Sequence, residues 1–136
     1  DATGDLNRVI KQKDKMGPDF IQLSGEDDTA LEFNMRGGVG CISVTANIAP
    51  KLCSEFQETL ENKNNNESIL KAKEINNKLM PLHKSLFIES SPSPVKYGAS
   101  LLRLSSAEVR LPLVKVTDET KKVVKSAMLH ANLISQ

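Results

Sequence analysis

Two rhythms of apolar side chains divide the chain. In the first, short apolar runs alternate with segments of helical spacing. Leu6, Val9 and Ile10 recur three and four apart, which predicts a helix over 5–11, and Gly17-Pro18 stops it. Phe20-Ile21-Gln22-Leu23 is a short apolar run ending in Ser24-Gly25, the pattern of a strand entering a turn. A helix over 29–36 follows. Glu26, Asp27 and Asp28 stand where carboxylates cap a helix N-terminus, and Gly37-Gly38 stands where a left-handed cap ends one. Val39 to Val44 is apolar without polar alternation, as in a parallel strand covered on both faces. Another helix is expected over 48–61. Helix, strand, helix, strand, helix is the order of a parallel α/β sheet. Two parallel strands do not make a stable sheet, because each needs neighbours at its edges and helices on its faces. The pattern describes a piece of a sheet.

In the second rhythm the helical period takes over. Lys63-Asn64-Asn65-Asn66 is a polar connector and the clearest internal boundary, giving segments 1–63 and 64–136. Ile75, Leu79, Leu82 and Leu86 form the stripe of a long amphipathic helix over 67–87, with Pro81 placed to kink or break it. Ser90 to Pro94 is a loop, and Pro94 suits the first turn of a helix over 95–104. Leu111-Pro112-Leu113 is an extended link. Thr117-Asp118-Glu119 opens a last helix carrying Val123, Val124, Ala127, Met128 and Leu129. This half is an all-helical unit.

Composition narrows the function. The chain has 136 residues, enough for one domain with a core, and 39% of them are hydrophobic. Its 18 basic and 17 acidic residues are well mixed, which argues against a nucleic-acid footprint. No apolar run approaches the roughly 20 residues of a membrane span. Without a signal-like segment, a cytoplasmic location is expected. Cys41 and Cys53 read as ordinary thiols, and the Asn66-Glu67-Ser68 sequon as unused.

Local chemistry is sparse. His83 and His130 lie 47 positions apart, with no partner at metal-ligand spacing. Gly37-Gly38-Val39-Gly40 precedes a strand, whereas a dinucleotide fingerprint follows one. Glu26-Asp27-Asp28 has the charge to hold a cation, but helix capping is the simpler use. No Ser–His–Asp or Cys–His arrangement assembles. Composition and spacing therefore point to no catalytic residue, no metal and no cofactor.

The segment SGEDDTALEFNMRGGVGCISVTANIAP is similar to the seventh and eighth strand region of the dihydrodipicolinate synthase family, also called 4-hydroxy-tetrahydrodipicolinate synthase. NNKLMPLHKSLF, SPSPVKYGASLL, VRLPLVKVTDET and LHANLI resemble that family's C-terminal helical region in the same order. The resemblance runs from Asp1 to Ile134. Sibling pyruvate-dependent class I aldolases of the N-acetylneuraminate lyase superfamily share the architecture, but SGEDD with PSPVK and RLPL fits the synthases better.

The resemblance implies an α/β fold: the C-terminal part of a (β/α)8 TIM barrel, with helix six and strands seven and eight, then a three-helix extension. It implies a lyase that condenses pyruvate with aspartate semialdehyde on the route to diaminopimelate and lysine. The condensation passes through a Schiff base on a lysine at the end of strand six, in a motif reading Gly-Ile-Lys-Asp/Glu-Ala-Thr/Ser-Gly. DATG at 1–4 matches the tail of that motif, so the lysine is expected immediately before Asp1. The family's proton-relaying tyrosine and threonine, and its lysine-feedback site, belong to the missing N-terminal half of the barrel. Within this chain the resemblance assigns two substrate-binding residues. Ile42 matches the strand-eight position whose main-chain carbonyl lines the pyruvate pocket, and Gly25 the glycine at the mouth of strand seven. Glu26 departs from the aspartate commonest there. A homo-oligomer, usually a tetramer, is implied. The 136 residues alone are expected to be inactive. The competing expectation is a degenerate half-barrel serving as a non-enzymatic binding or oligomerisation module.

Overall fold

The computed structural model describes residues 1–135. Within them lie α1 (Leu6–Met16), α2 (Ala30–Met35), a 3-10 turn (Thr45–Asn47), α3 (Pro50–Glu61), α4 (Asn66–Ser85), α5 (Ser93–Leu101) and α6 (Asp118–His130). The chain divides into two compact units. One comprises Asp1–Ser43 with Ser54–Asn76, the other Val44–Cys53 with the residues from Asn77 onward.

In the first unit α1 begins at Asp5, whose carboxylate accepts the Asn7 N–H at 2.9 Å. It runs past Lys11 because nothing opposes helix before Gly17, whose φ of +89° and bond to the Lys13 carbonyl end it. Val9 is fully buried. The residue at the N-cap of α2 is not one of the acidic run. The N-cap is Thr29, with no side-chain bond, and the main-chain carbonyl of Asp27 accepts the Ala30 N–H. The Asp27 carboxylate turns inward instead and is buried. Ala30 and Phe33 in α2, Phe56 and Leu60 in α3, and Ala72 and Ile75 in α4 add to the apolar interior of this unit.

Neither of the two expected strands forms as a regular strand. Among the described residues one isolated parallel bridge joins Ser24 to Cys41. Around it the Val39 N–H donates to the Gln22 carbonyl, Ser24 N–H to Gly40 and Ile42 N–H to Ser24. The two bonds of Ser24 have the slanted pattern of a parallel pair, and the Val39 bond to Gln22 is one residue out of that register. The pairing stops because the Glu26 N–H, the donor of the next rung, is taken by the Ser24 hydroxyl at 3.0 Å.

In the second unit α4 continues through Pro81 to Ser85 rather than breaking there. A proline costs a helix one hydrogen bond and a clash one turn earlier, about 3 kcal/mol. Against that stand Leu79, Leu82 and Leu86, all essentially inaccessible, each contributing about 1.5–3 kcal/mol by burial. α5 opens with Pro94 in its first turn and packs closely at Gly98, where an added Cβ would sit 3.0 Å from Ile48 Cδ1 and 3.5 Å from Met128 Sδ. Arg103 and Asn132, both at φ +58°, place the left-handed turns just beyond α5 and α6. The Thr117 hydroxyl caps α6 by accepting the Thr120 N–H.

Candidate active-site edge

Ser24 is the centre of a three-segment arrangement. On one side it exchanges bonds with Gly40 and Ile42, at 2.9 and 2.7 Å. On the other, the Asp1 nitrogen donates to the Leu23 carbonyl and the Gly25 N–H to the Asp1 carbonyl, both at 2.7 Å. Both exchanges have the parallel pattern, so Asp1, Ser24 and Cys41 lie abreast. One step further along, Ala2, Gly25 and Ile42 share the next row and, by alternation, one face.

That face is apolar and open. Ile21 is 71% exposed and Ile42 68%. Gly25 is needed there for space: a Cβ on it would lie 2.7 Å from Ala2 Cβ and 3.1 Å from Ala2 Cα. The opposite face is covered, with Gln22 and Ser24 buried. The Gln22 amide reaches the Val9 carbonyl of α1 at 3.0 Å. The Asp1 carboxylate accepts Arg8 Nε at 2.7 Å and the Thr3 hydroxyl at 2.6 Å, which ties the start of the row to α1.

The Ile42 carbonyl, like the Gly25 carbonyl and the main-chain groups of Ala2, takes part in no hydrogen bond within the described residues. In continued register it would accept the Glu26 N–H, which Ser24 Oγ has diverted. It is a main-chain acceptor on an exposed residue at the end of the pairing, next to a glycine. The sequence-based expectation singled out Ile42 and Gly25, and the structure places them side by side.

Asp27 belongs to the same edge, and sequence reasoning took it for a helix cap. Its Oδ1 accepts the Ser43 hydroxyl at 2.5 Å and faces Cys41 Sγ at 3.9 Å. Neither Cys41 nor Cys53 is in a disulfide, and both are half-buried. The one available signal for Asp27 was its position just past Ser24-Gly25, at the end of the expected strand.

Other polar groups lie elsewhere in the fold. A separate cleft of about 360 Å³ in the first unit is lined by Asn34, Val39, Gln57, Leu60, Glu61 and Lys63. There the Lys63 amine donates to the Asn34 and Gly38 carbonyls, both at 2.7 Å. Burial, helped by the nearby Lys13 charge, lowers its pKa below the ordinary lysine value. In the second unit His83 Nδ1 lies 2.7 Å from the Thr45 hydroxyl, a buried pair. No lysine occurs at 1–4, 20–25 or 39–43, so the row holds no amine side chain. No group of three or more potential metal ligands exists among the described residues, and no described helix is long and apolar enough to cross a membrane.

Residues 1–131 match the sequence profile of the dihydrodipicolinate synthetase family. The chain is 66% identical over 134 residues to a 4-hydroxy-tetrahydrodipicolinate synthase of Pelagibacter ubique, covering 98% of this chain and 45% of that protein. It resembles the crystal structure of the chloride-inhibited dihydrodipicolinate synthase of Acinetobacter baumannii, complexed with pyruvate. There the TM-score is 0.89 and the identity 38%, over 98% of this chain and 45% of that one. A monomeric dihydrodipicolinate synthase variant matches with a TM-score of 0.89 at 31% identity, over 98% and 44% of the two chains. The chain thus spans a little under half the length of the relatives it matches.

Proposed function

The chain belongs to the dihydrodipicolinate synthetase family, and from that premise we propose that it forms the C-terminal part of a pyruvate-dependent Schiff-base lyase. The substrates of the whole protein are pyruvate and aspartate semialdehyde. Its product enters diaminopimelate and lysine biosynthesis in the cytoplasm. Residues 1–63 are the segment of a (β/α)8 barrel holding helix six (α1) and strands seven and eight. The strands are the short pairings at Ser24 and Cys41. Residues 64–136 are the three-helix extension, α4 to α6.

In this reading the open apolar face of Ile21 and Ile42 is the barrel interior, closed in the working protein by the N-terminal half of the barrel. The row Ala2–Gly25–Ile42 lies at the C-terminal ends of the strands, where barrel enzymes build their active sites. The Ile42 carbonyl lines the pyruvate pocket, where the protonated nitrogen of the Schiff base is a donor it can accept, and Gly25 keeps the mouth of strand seven free of a side chain. The nucleophilic amine is supplied from outside these segments, by a lysine on strand six next to Asp1. A Schiff-base amine has to be neutral and held against the ketone. In the same unit as the row, the Lys63 amine is engaged by the Asn34 and Gly38 carbonyls. The 136 residues alone are therefore inactive. The working protein is a homo-oligomer, a tetramer as is usual for the family, and the chemistry needs neither metal nor cofactor.

The observation that carries this reading is the unengaged Ile42 carbonyl beside Gly25. The test is a condensation assay that follows product formed from pyruvate and aspartate semialdehyde. The whole protein turns over, and the 136-residue chain does not. Turnover by the isolated chain would overturn the assignment of the amine. An inactive whole protein would favour the non-enzymatic half-barrel, a binding or oligomerisation module.

A further inference from the structure

We propose that Asp27 is a positioning residue for the Ile42 carbonyl, an inference that rests on that carbonyl's role in binding pyruvate. Ile42 has little of its own to hold it in place, because its side chain is 68% exposed. Its N–H is fixed by the Ser24 carbonyl at 2.7 Å. Its C=O lacks the next rung of the ladder, since the Ser24 hydroxyl takes the Glu26 N–H at 3.0 Å. The carbonyl belongs to the Ile42–Ser43 peptide, so whatever holds Ser43 sets its direction, and a carbonyl that tilts is a poor acceptor because hydrogen-bond strength falls steeply with angle.

One buried carboxylate holds the residues on both sides of Ile42. Asp27 is 7% exposed. Its Oδ1 accepts the Ser43 hydroxyl at 2.5 Å and faces Cys41 Sγ at 3.9 Å. Cys41 and Ser43 are the residues on either side of Ile42, and their side chains leave the segment on the face opposite its own. The Ser43 contact, a short bond to a charged acceptor, is the stronger of the two. The sulfur contact is long and adds a weaker restraint. Held at both neighbours, the peptide that carries the Ile42 carbonyl keeps its orientation at the open face. Asp27 touches no reacting atom in this account and acts through Ser43 and Cys41.

The experiment uses the whole protein and steady-state kinetics with both substrates varied. Asp27→Ala removes both tethers, and the KM for pyruvate rises about tenfold, the worth of one well-aligned hydrogen bond. The KM for aspartate semialdehyde stays near that of the parent protein. Asp27→Asn keeps an oxygen at the Oδ1 position and restores most of the affinity lost in Asp27→Ala. Ser43→Ala, a smaller change that covers the case in which Asp27→Ala does not fold, raises the pyruvate KM several-fold. The inference is overturned if the parent protein is active while these substitutions leave the pyruvate KM unchanged. It is also overturned if they lower kcat and thermal stability together with the Asn variant no better than Ala. Absence of turnover or of pyruvate binding in the parent protein would instead contradict the proposed function itself.

Discussion

Gly38→Ala separates two reasons for a glycine, and its cost follows from the structure. A Cβ added at Gly38 would lie 2.2 Å from Phe33 Cδ1, 2.3 Å from Phe33 Cε1 and 3.0 Å from Asn34 Oδ1. Carbon atoms in contact rest at about 3.5–4.0 Å, so the methyl needs well over an ångström of room. Phe33 is 4% exposed and rooted in α2, which leaves its ring little space to retreat. The alternative is to move the backbone, and that pulls the Gly38 carbonyl from the Lys63 amine at 2.7 Å and the Gly38 N–H from the Phe33 carbonyl at 3.1 Å. Overpacking of this kind costs typically 1–3 kcal/mol, and a clash against a buried ring belongs at the upper end, about 3 kcal/mol. Gly4→Ala is the comparison. It sits at φ +67° with nothing within 4 Å of its added Cβ, so only the left-handed backbone is charged, about 1–2 kcal/mol. The assay is peptide-resolved hydrogen exchange over Ala30–Met35 in the whole protein, which reads the local opening free energy. Gly38→Ala should speed exchange there about a hundredfold, since each 1.4 kcal/mol is tenfold. Adding Phe33→Leu should recover part of the loss, because the flat ring is the obstacle. Exchange sped less than tenfold, or no relief from the second substitution, would refute the close approach of Gly38 to Phe33.

Two further outcomes follow from the second unit. Leu82→Ala empties a site that is fully inaccessible and should cost about 2–5 kcal/mol, read as a lower denaturation midpoint with the helix content of the folded state unchanged. Glu89 gives a pH dependence. Its Oε1 accepts the Thr117 hydroxyl at 2.8 Å and the Thr117 N–H at 3.0 Å. Hydrogen bonds from Thr120 and Thr117 hold its pKa below the ordinary glutamate value of 4.5. A carboxylate lowered in the folded state lends stability that is present above the unfolded value and lost as pH falls through the folded one. Thermal midpoints of the parent protein should therefore drop more steeply below pH 4.5 than those of Glu89→Gln. Parallel curves would contradict the assignment.

The helices were legible because their signals are local. Val9 marks the buried face of α1, although Ile10 of the same stripe is 46% exposed, and Gly17-Pro18 marks its end, Pro94 the first turn of α5 and Thr117 the cap of α6. Pro81 does not break α4. A local rule charges it against the helix, but the buried leucines on either side of it decide the outcome. The strands were legible as apolar segments and less so as strands. Pairing is a property of neighbours, and Ser24 ends its own ladder with a side-chain bond that no periodicity reveals. Asp27 was misread for a related reason. Three acidic residues before a helix look like caps, and only the fold shows that one of them points inward to Ser43. Ile42 and Gly25 emerged from family resemblance. Hydropathy alone marks Ile42 as core, whereas in this chain it is largely exposed and offers its carbonyl.

The central claim is that these residues shape a pyruvate site whose amine comes from elsewhere in the protein. Reduction with borohydride in the presence of pyruvate, followed by peptide mapping of the whole protein, tests it most directly. The account predicts one pyruvate-derived adduct, on a lysine outside residues 1–136 and adjacent to Asp1. An adduct on any lysine within these residues, or a protein left unmodified while pyruvate is bound, would contradict it.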